Sequence, residues 1–350
     1  MNNKIRVLVV DDSAFMRLVI SDMLASDPQI HIVGKARNGA DAVEKVKRLK
    51  PDVVTLDVEM PVMDGVTALK SILNLNENIK VIMVSTLTSE GAETTIKCLE
   101  LGAFDFVHKP SNSNPKEIEK IKENLLNKIK AAASSLKRLE IPSIPTTPAS
   151  LKPISAQQKS GPYNMLLIAS STGGPQALMK MLPEIPKDFP APIAIVQHMP
   201  PGFTKSFAAR LNQLCQISIE EAAEGKLLVP QKAFIAPGGY HLVVKEKNKK
   251  IHCSLVDLPP VNAVKPAADV LFQSISLLEN IRPVTVILTG MGKDGAKGAL
   301  RLKEKNAFVI AESPETAVIF GMPKAAGEVG AVDVFLPLHK IAPKVVELFT

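Results

Sequence analysis

Residues 7–17, VLVVDDSAFMR, pass from an unbroken apolar run into two adjacent carboxylates and then into a stretch with helical spacing. A run with no polar alternation is the pattern of a strand buried on both faces. The signal recurs at IHIVGKA (30–36), DVVTLDV (52–58), KVIMVST (80–86) and FDFVHKP (104–110). Apolar residues at helical spacing separate these runs near 14–25, where Asp12 or Ser13 can cap, and near 39–49, 65–74 and 89–101. A helix of mixed charge follows from about Pro115 to Leu139. Alternating elements of this kind predict a doubly wound parallel sheet, which places a ligand site at the carboxyl ends of its strands.

The texture changes at 140–162, EIPSIPTTPASLKPISAQQKSGP, which is rich in Pro, Ser and Thr and has no apolar period. A second α/β pattern begins after it. Strands are expected at 164–170, 191–197, 284–289 and 307–311, and helices near 175–182, 203–213, 266–279, 295–304 and 338–348. Short strands at 217–220, 233–236, 240–245 and 250–255, with turns at PGG and NKK, suggest antiparallel hairpins. The expected division is a first domain over 1–125, a basic helix end and linker over 126–162, and a second domain over 163–350.

A chain of 350 residues can bury two cores of ordinary size. Its apolar runs are strand-length, far short of the roughly 20 residues of a membrane span, and its N-terminus lacks the pattern of a secretory signal. A cytoplasmic protein without membrane insertion is expected. Cys98, Cys215 and Cys253 have no paired spacing, so buried reduced thiols are expected rather than a disulfide frame or zinc site. The net charge of +7 raises nucleic-acid binding. However, residues 109–162 hold ten Lys or Arg against four Glu, and the remainder holds thirty-two against thirty-one acidic residues. Two nearly neutral bodies and a basic connection argue against a nucleic-acid partner.

In the first domain, Asp11 and Asp12 follow the first strand, Asp57 closes the third and Lys109 follows the fifth. On a parallel sheet these positions converge. Clustered carboxylates raise one another's pKa unless a cation joins them, and a hard divalent ion such as Mg²⁺ resolves the conflict. Asp57, central in the cluster, is the candidate nucleophile toward a phosphoryl group, with the metal and Lys109 offsetting charge.

The second domain offers LLIASSTGGPQAL (166–178), with Ser170 and Ser171 beyond an apolar strand, His198 in QHMPPG, and Asp294 in LTGMGKDGAKG. A hydroxyl, an imidazole and a carboxylate at neighbouring strand ends form the inventory of a nucleophile, its base and the group that orients the base. Two serines compete for the first role. Gly173, Gly174, Gly290 and Gly292 can expose backbone N–H groups to an oxyanion. A rival reading takes Gly290, Gly292 and Gly295 with Glu312 as a dinucleotide-binding fingerprint, making this a nucleotide-binding regulator. A DNA-binding output domain fits less well, because the second domain is neutral, long and α/β in pattern.

VLVVDDSAFMR, TLDVEMPVMDG, VIMVSTLT and FDFVHKP, in this order over about 1–125, resemble the receiver domain of two-component response regulators. The resemblance implies a flavodoxin-like fold with Asp57 as phosphoacceptor and Asp11 and Asp12 helping to hold Mg²⁺. It also implies that Ser85 and Lys109 contact the phosphoryl group and that Phe106 is an aromatic switch. Over about 163–350, LIASSTGGP, IVQHMPPGFTKSFAARLN, FIAPGGYHL, PPVNAVKPAADVLF, VILTGMGKDGAKG and VIFGMPKAA look like the Rossmann-like catalytic domain of chemotaxis protein-glutamate methylesterases. That likeness implies Ser171 as nucleophile, His198 as general base and then acid, and Asp294 as its orienter. Backbone amides near Thr172 and Met291 would donate to the oxyanion, and the site would need no cofactor. The implied reaction is hydrolysis of glutamate γ-methyl esters on chemoreceptors, with glutamine deamidation beside it, activated by a chemotaxis histidine kinase. At rest the receiver would pack over the crevice. The family usually reads G-A-S-T-G-G where this chain has Ala169-Ser170-Ser171-Thr172-Gly173-Gly174, so Ser170 stands in an alanine's place.

Overall fold

The computed structural model describes residues 4–76, 78–86, 88–110, 115–136 and 162–350. In the first half the chain alternates β1 (Ile5–Val10), α1 (Ala14–Ala25), β2 (Ile30–Ala36), α2 (Gly39–Leu49), β3 (Val53–Asp57), α3 (Gly65–Leu75), β4 (Lys80–Ser85), α4 (Ser89–Glu100), β5 (Asp105–His108) and α5 (Pro115–Leu136). The strands form one parallel sheet in the order β2-β1-β3-β4-β5. The helices that follow β1 to β4 each start at a side-chain cap. Ser13, Asn38, Asp64 and Thr88 accept the backbone N–H of Met16, Asp41, Thr67 and Gly91, each cap worth about 1 kcal/mol. Ser13 is the cap of α1, which decides between the two expected candidates.

The second half runs β6 (Met165–Ser170), α6 (Gly174–Met181), a 3₁₀ turn (Leu182–Glu184), β7 (Ile193–Gln197), α7 (Phe203–Leu214), β8 (Ser218–Glu221) and β9 (Lys232–Ile235). It continues with β10 (His241–Lys247), β11 (Lys250–Val256), α8 (Ala268–Ser276), β12 (Pro283–Ile287), α9 (Ala296–Glu304), β13 (Phe308–Glu312), α10 (Met322–Glu328), β14 (Val334–Leu336) and α11 (Leu338–Phe349). Seven strands pair in the order β14-β13-β12-β6-β7-β9-β8, every pair parallel. Only β10 and β11 form the expected antiparallel hairpin. The strands at 217–220 and 233–236 do not, because Ile219, Phe234 and Ile235 are buried on the main sheet and β9 adds in parallel to β7. From β6 the chain builds outward first through β7 and later through β12, so the sheet reverses its direction of growth at β6. That is the topological switch point where an α/β sheet opens a crevice.

The halves touch through α4 and β5 on one side and α6 and α7 on the other. Gln176 Nε2 donates to the carbonyls of Leu99 (3.3 Å) and Ala103 (2.6 Å), which closes the C-terminus of α4. Arg210 forks onto the Glu100 carboxylate. Phe106 stacks on Phe203 with ring centroids 4.5 Å apart. The expected linker at 140–162 falls almost wholly outside the described residues. Among the described residues, no helix is long and apolar enough to cross a membrane.

Candidate functional site

At the carboxyl edge of the first sheet, Asp11 continues from β1, Asp57 is the last residue of β3, Ser85 closes β4 and Lys109 follows β5. The Lys109 ammonium lies 2.9 Å from Asp11 Oδ2 and 2.7 Å from Asp57 Oδ2. Burial pushes the Asp57 carboxyl up to about 6, since the Lys109 bond does not offset desolvation together with the charges of Asp11 and Asp12. Burial would lower the Lys109 ammonium, but its bonds to Asp57 and Asp11 outweigh this and hold it above its ordinary value. One carboxylate oxygen from each of Asp11, Asp12 and Asp57 falls within 4.8 Å of the others. An all-oxygen donor set with residual repulsion fits a hard divalent cation such as Mg²⁺. Ser85 is turned from the pocket, its buried hydroxyl donating to the Gly91 carbonyl in the first turn of α4 (3.2 Å). Phe106 points into the contact between the halves.

At the carboxyl edge of the second sheet, the helices following β6, β7 and β12 start differently. Gly173, Gly202 and Gly295 occupy the cap positions with φ of 77°, 85° and 85° and supply no side-chain acceptor. Their amides are left for other partners. The two serines separate cleanly. Ser170 is the last residue of β6, fully buried, and its hydroxyl donates to Gln197 Oε1 (2.6 Å). Gln197 Nε2 in turn donates to the carbonyls of Ser171 (3.0 Å) and His198 (3.2 Å). This brace ties the end of β6 to the end of β7, and a side chain at Gly174 would stand 2.1 Å from Gln197 Oε1. Ser171 is half-buried at the crevice, with its backbone N–H on the Thr289 carbonyl (3.0 Å). A Cβ on Gly290 would come 2.8 Å from the Ser171 Cβ, so the 290–292 loop lies directly against it. The amides of Thr172 and Met291 donate to no group among the described residues.

His198 donates from Nε2 to Asp294 Oδ2 at 2.8 Å. A carboxylate only accepts, so the proton is on Nε2 and Nδ1 is left as the acceptor. Among the described residues, neither Nδ1 nor the Ser171 hydroxyl has a hydrogen-bond partner; such contacts often tighten only with substrate bound. Asp294 also receives the N–H groups of Ala268 (2.6 Å) and Asp269 (3.2 Å) and the Asn262 amide (2.9 Å). Burial would raise its carboxyl, but the His198 bond and these donors hold it below the usual carboxylate range. Sequence reasoning missed Asn262, Gln197 and the support from α8, although Asn between PPV and AVKP is itself a turn signal.

The nucleotide-binding alternative does not survive this geometry. Glu312, which would have to reach a ribose, is fully buried and accepts the Thr289 N–H (2.8 Å) and the Thr316 hydroxyl (2.9 Å). Asp294 puts a carboxylate in the loop where a pyrophosphate would sit. Cys98 and Cys253 are buried and Cys215 half-buried, and burial pushes each thiol up to about 12.

A family profile described as CheB methylesterase matches residues 166–345, and one described as response regulator receiver domain matches residues 7–121. The chain is 48% identical over 348 residues to a protein-glutamate methylesterase/protein-glutamine glutaminase of Halalkalibacterium halodurans, with 99% of each chain covered. A protein of the same name from Pyrococcus horikoshii is 46% identical over 349 residues, with 99% of this chain and 94% of that protein covered. The crystal structure of the Thermotoga maritima CheB methylesterase catalytic domain superposes with a TM-score of 0.52 at 45% identity, covering 54% of this chain and all of the other.

Proposed function

The chain belongs to the CheB methylesterase family and carries a response regulator receiver domain, and from that premise we propose how its residues perform the reaction. It is a receiver-regulated carboxylic ester hydrolase of chemotactic adaptation, a protein-glutamate methylesterase and protein-glutamine glutaminase. Its partners in general are chemoreceptors as substrates and a kinase as phosphodonor.

Ser171 Oγ attacks the carbonyl carbon of a glutamate γ-methyl ester on a receptor's cytoplasmic helices, and its proton passes to His198 Nδ1. The amides of Thr172 and Met291 receive the oxyanion. The C–O bond to the methoxy group breaks, and methanol leaves with the proton from His198. Water then adds to the acyl-enzyme with His198 as base, releasing glutamate and restoring Ser171. Asp294 remains ionised throughout and fixes the imidazole in one tautomer. At a glutamine, ammonia leaves in place of methanol. The observation that supports this reading is the His198–Asp294 pair, closed through Nε2 so that Nδ1 is left as the acceptor, with Gln197 tying the backbone of His198 to that of Ser171.

Asp57 takes the phosphoryl group from a histidine kinase. Asp11, Asp12 and Asp57 would hold Mg²⁺, which neutralises charge during the transfer. Drawing the Ser85 hydroxyl toward the phosphoryl oxygens breaks its bond to the first turn of α4, the helix that docks on α7. Phe106 then withdraws from Phe203 and the crevice opens, a shift of population between two arrangements. The proposed division is a receiver over 1–125, a connection over 126–162 and the esterase over 163–350, acting in the cytoplasm.

Methanol release from methyl-esterified receptor tests the assignment. Ser171→Ala should lose at least about a thousandfold, while Ser170→Ala keeps activity within about tenfold because only a buried acceptor is left unpaired. Full activity in Ser171→Ala would end the reading.

A further inference from the structure

We infer that Asn262 is a positioning residue for the esterase reaction, its side-chain amide holding Asp294 aimed at His198, on a loop strapped down by buried His241. The inference rests on the reading in which Ser171, His198 and Asp294 act together.

The strap comes first. His241, at the start of β10, is fully buried. Its Nδ1 accepts the Ala267 N–H (3.1 Å), so its proton is on Nε2, which donates to the Pro259 carbonyl (3.1 Å). One imidazole thereby pins both ends of the segment 259–267. Inside it, Val261 and Val264 exchange backbone hydrogen bonds of 3.1 and 3.0 Å. The two residues between them, Asn262 and Ala263, have φ of 53° and 65°. Asparagine tolerates this left-handed region better than most residues. The loop thus delivers the Asn262 side chain to a fixed point.

At that point the amide satisfies two carboxylates together. Nδ2 donates to Asp294 Oδ1 (2.9 Å) and to Asp269 Oδ2 (2.8 Å). Both partners only accept, which fixes the orientation of the amide. The second Asp269 oxygen accepts the Gly298 N–H (2.7 Å), so α8 and α9 brace the same cluster. Asp294 Oδ2 is occupied by His198 and Ala268. Oδ1 therefore determines how the carboxylate is rotated about its own axis, and Asn262 holds it more closely than the Asp269 N–H does. The titratable groups facing Asp294 are His198 from the end of β7 and Asp269 from α8; Lys293 and Lys297 beside it in the chain are exposed. Removing the amide leaves two carboxylates facing each other, and Asp269 already sits above the usual carboxylate range through burial and the charge of Asp294.

A role in forming the turn and a role as donor make opposite predictions for aspartate. Asn262→Asp keeps the shape and the tolerance of positive φ but converts a donor into a third acceptor. Asn262→Gly keeps the backbone conformation and removes the side chain. The full chain is assayed by methanol release from methyl-esterified chemoreceptor across pH, with thermal melting in parallel. For Asn262→Gly, kcat should fall about tenfold, by misalignment of a reacting group, with KM nearly unchanged. The acid limb of its kcat/KM profile should move to higher pH, because Asp294 has lost a donor that favours its ionised form. Asn262→Asp should fall at least as far at pH 7.5. Parental kcat and pH profile in Asn262→Asp, or an unchanged kcat in Asn262→Gly, overturns the inference. Asp294→Asn and Ser171→Ala keep the two readings apart. Loss in both, with the Asn262 variants intact, sinks only the present inference, whereas parental rates in both sink the triad itself.

Discussion

Asp57 is held in a state that its own pocket disfavours. Its folded pKa of about 6 stands above the ordinary carboxylate value of 3.8. Between these two values the folded state binds more protons than the unfolded one, so this residue's contribution to stability is lost as pH rises from about 4 through about 6 and changes little above about 7. Ionised at pH 8 without a divalent cation, it costs the fold on the order of 2 kcal/mol. Asp57→Asn should therefore melt a few degrees above the parent at pH 8 in calorimetry, while accepting no phosphoryl group. Mg²⁺ should raise the parent's midpoint and leave the variant's nearly unmoved. A variant melting below the parent would contradict this account. At the other site, Gly174→Ala forces a methyl group to within 2.1 Å of Gln197 Oε1 and should cost at least a hundredfold in methanol release, a misplacement effect of about that order. Phosphorylation at Asp57 should be retained. The two serines illustrate how far residue-level reading reaches. Strand alternation separates Ser170 from Ser171, but Gln197 as the partner that occupies Ser170 belongs to a strand 27 residues away. Asn262 was out of reach for the same reason, since its role depends on three elements that meet only in the folded chain.

The contrast between helix starts shows what element-level patterning carries. Ser13, Asn38, Asp64 and Thr88 close their own helix ends, whereas Gly173, Gly202 and Gly295 supply no side-chain cap, and the first turn of α9 is closed instead by Asp269 from α8. The change from polar to glycine caps is visible in the sequence and separates the helix starts of the first sheet from those beside the crevice of the second. Parallel pairing of β8 and β9 is not visible, because their brevity suits a hairpin equally well. β14 was missed because three half-exposed residues carry no period. The α4–α7 contact yields a prediction of its own. The exposed Arg210–Glu100 pair is worth about 0–1 kcal/mol, while Gln176 satisfies two carbonyls at the end of α4. Gln176→Ala should weaken docking by about 1 kcal/mol and raise the activity of the unphosphorylated chain roughly fivefold. Arg210→Ala should raise it less, and the difference should shrink with added salt. Equal basal activity in all three proteins would show that this contact is no brake.

Across the whole molecule, the apolar packing of the two halves is continuous, with Phe106 and Phe203 at the join. Both parallel sheets and the convergence of three carboxylates and a lysine were legible, because near-continuous apolar strands leave few other folds. The relative placement of the halves was not, since no periodicity encodes which exposed face of one domain meets the other. Residues 163–350 alone should hydrolyse receptor ester at a rate independent of phosphodonor, near the rate of the fully phosphorylated chain. A rate as low as that of the unphosphorylated full chain would remove the receiver as inhibitor.

On the proposed gating, the stack of Phe106 on Phe203 would make substrate and phosphoryl group thermodynamic allies. If a receptor helix enters only when this contact is apart, and phosphorylation favours the same parting, reciprocity requires that each ligand strengthen the other by one common factor. Saturating methylated receptor should then tighten binding of a phosphoryl analogue to the receiver by the same ratio in which the analogue tightens receptor binding. The receptor would thus report its own methylation to Asp57, making the target an effector of the enzyme that edits it.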